Sequence, residues 1–116
     1  MITGIGVDVC EVARFARACD RWPGFARRWL TDAEADLPMH SQAARFAAKE
    51  ALAKALRIER GLGWHDAEVI VDEFGRPSFV ISGSVADRAA ALGVTSIHLS
   101  LSHDAGIATA FVVCET

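Results

Sequence analysis

Two acidic residues in this chain stand where chemistry would need them. Asp8 closes the run Gly4-Ile5-Gly6-Val7-Asp8, and a carboxylate at the end of an apolar strand calls for a partner or a cation. The two glycines would let another group come close to the backbone. The same acid could equally cap a following helix. Glu50 lies beside Lys49 and four residues before Lys54. A carboxylate flanked by cations suits a site where a divalent metal bridges a polyphosphate, the acid holding Mg²⁺ and the cations holding phosphate oxygens. Glu and Lys at i,i+4 also form the favourable surface pair of an exposed helix, worth about 0.2–0.5 kcal/mol. By spacing alone the surface pair is the simpler reading.

His103-Asp104 and His65-Asp66 raise metal-dependent phosphohydrolases that use His-Asp ligand pairs. Those enzymes carry their ligands on the helices of an all-helical bundle, whereas both pairs here fall in or beside strands. The four histidines show no zinc spacing. Ser100 and Ser102 lack the GxSxG elbow of a nucleophile. Gly4-x-Gly6 lacks a third glycine and leads to an acid, so a dinucleotide fingerprint fails.

The elements that must position these residues follow from periodicity. Ile2–Cys10 reads as a strand in which Ile5, Val7 and Val9 alternate with Gly6, Asp8 and Cys10, placing Asp8 opposite the aliphatics. A helix follows, with Val12, Phe15, Ala16 and Cys19 on one face and Arg14, Arg17 and Arg21 largely on another. Trp22-Pro23-Gly24 breaks it, Phe25–Leu30 forms a further turn, and Thr31-x-x-Glu34 is a capping box. Gln42–Arg57 carries the strongest helix signal. Ala67–Asp72 and Pro77–Ile81 read as strands joined by Glu73-Phe74-Gly75-Arg76. Ser84-x-x-Asp87 opens a helix that Gly93 ends. Thr95–Leu101 and Ile107–Val113 close the chain as strands around a turn at Ser102–Gly106. The expectation is an α+β domain spanning 1–116, with a mainly antiparallel sheet and a long central helix.

At 116 residues such a domain buries only about two-thirds of its unfolded surface, so oligomerisation would help it enclose a site. The net charge of −3 argues against nucleic-acid binding. From Arg14 to Arg28 five arginines stand against Asp20 alone, a stretch that suits an acidic partner or phosphates. Cys10, Cys19 and Cys114 form no CxxC pair and read as free, packed thiols in a reducing compartment. Met1 leads straight into the first strand, with no signal peptide expected and no apolar run of membrane-spanning length, so a cytoplasmic location is expected.

In order, the motifs resemble those of one family. Gly4-Ile5-Gly6-Val7-Asp8, followed by Glu11 and Arg14, is similar to the N-terminal motif of phosphopantetheinyl transferases. Arg45-Phe46-Ala47-Ala48-Lys49-Glu50-Ala51-Leu52-Ala53-Lys54-Ala55 resembles their (W/F)xxKEAxxKA signature. Gly75-Arg76-Pro77 and Ser100-Leu101-Ser102-His103-Asp104 resemble the Gly-(Lys/Arg)-Pro turn and the Ser-His-Asp segment. The length resembles the short class, the holo-acyl-carrier-protein synthases. The resemblance implies the fold of that family and transfer of phosphopantetheine from coenzyme A to a carrier-protein serine in fatty-acid or polyketide synthesis. Asp8 and Glu50 would hold Mg²⁺, and Asp8, Glu50 and Lys54 would be catalytic. Lys54 would lie on the bridging phosphates, with Lys49 a further phosphate ligand. Arg45 and His103 would meet the 3′-phosphate, and Gly75, Arg76 and Pro77 would lie near the adenine. Arg14, Arg17, Arg21 and Arg28 would face the acidic carrier. Active sites would lie between the subunits of a trimer.

Two departures stand out. Ala53 occupies a position where the family often has serine, and Arg57-Ile58-Glu59-Arg60 precedes Gly61-Leu62-Gly63 where the family continues with glycine. They motivate an alternative reading as a non-catalytic carrier-binding or scaffold protein that kept the fold.

Overall fold

Strand β1 (Ile2–Glu11) lies against the backbone of helix α4 (Met39–Ala55) with almost nothing between them. A Cβ on Gly6 would sit 1.9 Å from the Ala51 carbonyl oxygen, and one on Gly4 would sit 2.0 Å from that of Ala55. The helix meets the strand with alanines, and Ala43, Ala44, Ala47, Ala48, Ala51 and Ala55 are all buried. Glycine facing alanine is what permits this approach. The structure, a computed structural model, describes residues 1–59 and 63–116, so Arg60, Gly61 and Leu62 of the expected Gly-rich loop lie outside the described residues.

β1 pairs antiparallel with β5 (Ile107–Glu115), which pairs with β4 (Ser96–Asp104), giving the order β1-β5-β4. One sheet face, bearing Ala108, Ala110, Val112 and Cys114, packs into the core beneath α4. The β4–β5 connection is the two-residue turn Ala105-Gly106, both at positive φ (51° and 78°), the twist that tight hairpins favour. His103 and Asp104 therefore belong to β4, not to the turn expected at Ser102–Gly106.

A separate antiparallel pair, β2 (Ala67–Val71) and β3 (Pro77–Ile81), is closed by Asp72, whose Oδ1 accepts from the backbone N–H of Phe74 (2.8 Å) and Arg76 (2.9 Å). Helices α1 (Val12–Arg21), α2 (Phe25–Trp29) and α3 (Asp32–Ala35) connect β1 to α4 over a second core of Phe15, Leu30, Ala43, Ala44 and Ala108. Helix α5 (Gly83–Ala91) is capped from outside: Asp66, in a 3₁₀ turn at Trp64–Asp66, accepts from the Ser84 N–H (2.8 Å) and hydroxyl (2.7 Å). These bonds hold the Asp66 carboxyl below its usual pKa. Among the described residues, no helix is long and apolar enough to cross a membrane.

The Thr31–Glu34 capping box forms as expected. Helix α4 starts three residues before the expected Gln42, because the N–H groups of Ser41 and Gln42 both bond the Pro38 carbonyl. It also ends earlier. Ile58 N–H reaches Ala53 O (2.8 Å) and Arg57 N–H reaches Lys54 O (3.1 Å), a Schellman closure with Arg57 in the left-handed region at φ 54°. Arg88 supports it by donating to the carbonyls of Leu56 (3.0 Å) and Arg57 (3.1 Å). Glycine takes this conformation without the Cβ clash that any L-residue suffers. Arg57→Gly is therefore expected to raise unfolding stability by about 1 kcal/mol, read as a higher midpoint in urea at unchanged slope.

Candidate active site

The contact between β1 and α4 sets the position of the two acids. Moving from Gly4 to Gly6 advances two strand residues, roughly 6.8 Å, while the facing helix carbonyl moves from Ala55 to Ala51, about 6 Å along its axis. Asp8, two residues further on the same face, continues this row toward the helix N-terminus, close enough for its charge to act on Glu50. The Lys54 ammonium joins them, donating to the Val7 carbonyl at 2.8 Å and lying 3.3 Å from Asp8 Oδ1. The Glu50 carboxyl is pushed above its usual pKa, first by burial and then by the negative charge of Asp8, with Lys54 pulling the other way. Asp8 and Glu50 thus share one electrostatic environment. Two carboxylates with one exposed ammonium beside them form a site short of positive charge. The donors are all oxygen, which suits a hard cation such as Mg²⁺. Among the described residues no group of three or more His, Cys, Asp or Glu gathers at one point, so a metal here would take its other ligands from water and substrate, as Mg²⁺ commonly does.

A second group of expected residues assembles elsewhere. His40, Arg45, Gly75, Pro77, Ser102 and His103 line a pocket of about 270 Å³ between the start of α4, the β2–β3 turn and the end of β4. Arg45 is only 7% exposed, its Nη1 donates to Ser41 O at 3.3 Å, and its Nε has no partner among the described residues. An uncompensated donor this deep is a demand for an acceptor. Arg76 stays on the surface, 3.2 Å from Asp72 and over the Phe74 ring at 5.4 Å, so the turn contributes its flanking Gly75 and Pro77 to the pocket lining.

Lys49 departs from expectation. Its side chain is 1% exposed, and its ammonium is committed to Glu34 Oε1 (2.7 Å) and the Trp64 carbonyl (2.9 Å). Glu34, equally buried, also accepts from the backbone N–H groups of Thr31 and Val69, both at 2.9 Å. Lys49 is therefore the internal counter-ion that ties α4 to α3, β2 and the 3₁₀ turn, and not a surface ligand for phosphate. The reason is helical phase: Lys49 points into the protein while Glu50 and Lys54 face β1.

Arg45 and Lys54 are nine positions apart at 100° per residue, which places them about 180° apart around α4. One chain presents the two halves on opposite sides of one helix.

The arginine-rich stretch borders a third feature, an open groove of about 880 Å³ lined by Arg14 and Arg21 with Phe15, Trp22, Phe25 and Phe46 at its apolar floor. Arg14 is unpaired among the described residues. Arg17 lies 3.7 Å from Glu11, Arg21 stacks over Trp22 at 5.1 Å, and Arg28 lines an adjoining hollow with Trp22 and Phe25.

A family model described as the 4′-phosphopantetheinyl transferase superfamily matches residues 4–112, from Gly4 of the β1 motif to Val112 of β5. The chain belongs to this superfamily. It is 63% identical over 115 residues to a holo-[acyl-carrier-protein] synthase of Clavibacter michiganensis subsp. michiganensis, covering 99% of this chain and 97% of the relative. The crystal structure of holo-[acyl-carrier-protein] synthase from Neisseria meningitidis is similar over 100% of both chains, with a TM-score of 0.88 at 31% identity. That of the Helicobacter pylori synthase in complex with coenzyme A has a TM-score of 0.84 at 31% identity, covering 96% of this chain and 99% of the other.

With Ala53 and Arg57 in place, Lys54 still reaches Asp8, and both act on the Glu50 charge. The His65-Asp66 pair is committed to the protein: His65 Nε2 bonds the Arg27 carbonyl at 2.6 Å, and Asp66 is occupied by Ser84. Sequence reasoning missed Glu34 as a buried hub, the aromatic floor of the groove, and His40. The aromatics repeat at helical spacing, a signal indistinguishable from ordinary core.

Proposed function

We propose that this chain transfers the 4′-phosphopantetheine group of coenzyme A to a serine hydroxyl of an apo-acyl carrier protein, releasing adenosine 3′,5′-bisphosphate. The convergence of Asp8, Glu50 and Lys54 carries this reading. Asp8 and Glu50 would hold Mg²⁺, which when bound neutralises charge on the pyrophosphate and orients it. The serine oxygen forms a new bond to the β-phosphorus, its hydroxyl proton passing to water, while the bond from that phosphorus to the bridging oxygen breaks. Lys54, already fixed at 2.8 Å from the Val7 carbonyl, has its ammonium where charge builds on the departing bisphosphate. Arg45 would hold the 3′-phosphate with His103, satisfying its unpartnered Nε, and Gly75 and Pro77 would border the adenine. No covalent enzyme intermediate is involved, in keeping with the lack of a nucleophile motif.

The working unit in this reading is a homotrimer with sites between subunits. Two features support it. The outer face of the sheet leaves Ile5, Val7, Val9 and Phe111 exposed at 60%, 54%, 64% and 47%, an apolar surface suited to a partner copy. Arg45 and Lys54 also face opposite ways, so a second chain is needed to bring one subunit's nucleotide pocket to another's cluster. Light scattering should return three times the 12.5 kDa chain mass. The protein would work in the cytoplasm, where its free thiols remain reduced.

Mass spectrometry of an apo-carrier incubated with the protein, coenzyme A and Mg²⁺ should show the gain of one phosphopantetheine group. An unchanged carrier mass would exclude the activity. The carrier would dock on the arginine groove. Arg14→Glu should raise KM for the carrier about tenfold, since reversing a charge against an acidic partner costs about 1–2 kcal/mol, with KM for coenzyme A little changed. An equal rise in both would remove Arg14 from the docking surface.

A further inference from the structure

We propose that His40 is a third ligand for the coenzyme A 3′-phosphate, and that it sets part of the preference for coenzyme A over 3′-dephospho-coenzyme A. The inference rests on the reading above, in which Arg45 and His103 receive that phosphate. The His40 and His103 rings lie 4.9 Å apart between centroids and are inclined at 45°, so they open as a wedge over the same pocket. The other two histidines each spend a ring nitrogen on the protein, His65 on the Arg27 carbonyl and His98 on Glu115. Among the described residues, no protein hydrogen bond engages the ring nitrogens of His40 or His103. A neutral imidazole offers one N–H donor and an imidazolium two.

The rest of the lining points to the same ligand. Arg45, deeply buried and with its Nε unpartnered among the described residues, lines the pocket together with Ser41 and Ser102, and no acidic residue is among the described lining. His40 stands in the first turn of α4, where the helix dipole is positive and the earliest N–H groups lack partners within the helix. Donors converging from two elements, α4 and β4, with no carboxylate among the described lining residues, describe a receptor for a phosphomonoester. The adenine-facing turn lies alongside, and a free phosphate would make no use of it.

Calorimetry on the full-length protein with Mg²⁺ should test this, using coenzyme A and 3′-dephospho-coenzyme A as paired ligands for wild type, His40→Ala and His40→Gln. The wild type should favour coenzyme A. Both variants should bind coenzyme A about five- to tenfold more weakly, the loss of one charge-assisted hydrogen bond, while their affinity for the dephospho compound changes less than about twofold. Equal losses for both ligands, or no loss for either, would overturn the role of His40 and leave the transferase reading standing. A wild type that binds neither compound would overturn both. Because His40 is exposed, the variants should fold, and matching circular dichroism spectra would confirm it.

Discussion

Replacing Glu50 with glutamine should reduce transfer from coenzyme A to an apo-carrier by about a hundred- to a thousandfold while the protein stays folded. The amide keeps the shape but removes one of only two carboxylates at the cluster, and the loss of a single pre-organised electrostatic group commonly costs about 10²–10³ in rate. Stability should move the opposite way. Burial and Asp8 raise the Glu50 pKa, so the folded state holds this proton more tightly than the unfolded chain does. Its contribution to stability is therefore fullest at acid pH, below the unfolded value, and is lost as pH rises through the raised folded value. Glutamine has no proton to lose, so at neutral pH the variant should be at least as stable as the parent. Single-turnover transfer measured beside urea unfolding separates the two effects. If the variant retained wild-type activity, Glu50 would have no part in the chemistry.

The second large effect is expected in the backbone contact that brings Asp8 to Glu50. Gly6→Ala would place a methyl group 1.9 Å from the Ala51 carbonyl oxygen, and both partners belong to main chain that no rotamer change can move. Strand and helix would have to separate by roughly an ångström, a cost of about 3–5 kcal/mol against a total stability of about 5–15 kcal/mol for a domain of this kind. Transfer should fall as well, because the two acids would be drawn apart. Gly24→Ala is the matched control: its added Cβ meets nothing within 4 Å, and only its φ of 80° opposes the change, at about 1–2 kcal/mol. Denaturant midpoints that placed the two variants within error of each other would disprove the strand–helix contact.

That contact also shows where sequence reading stopped. The alternation in β1 correctly put Asp8 opposite Ile5, Val7 and Val9, and the glycines correctly signalled a close approach. What approaches is helix backbone, so the polar and glycine face is the inner one and the aliphatic face is left exposed, the reverse of the usual pattern. The two lysines of the signature gave the same kind of ambiguity. Lys49 and Lys54 are alike in one dimension, but Glu34, which neutralises the first, lies fifteen residues earlier on a different element.

The sequence by itself determined the order and kind of elements, the capping box, the β2–β3 turn and the set of residues able to hold a metal and phosphates. Local propensity and short-range hydrogen bonds decide those features, and both are written in neighbouring residues. Only the tertiary structure decided which face of β1 is buried and which lysine is internal. These depend on the rotation of one helix against one strand, and that rotation is set by long-range contacts between glycine and alanine that no local window contains.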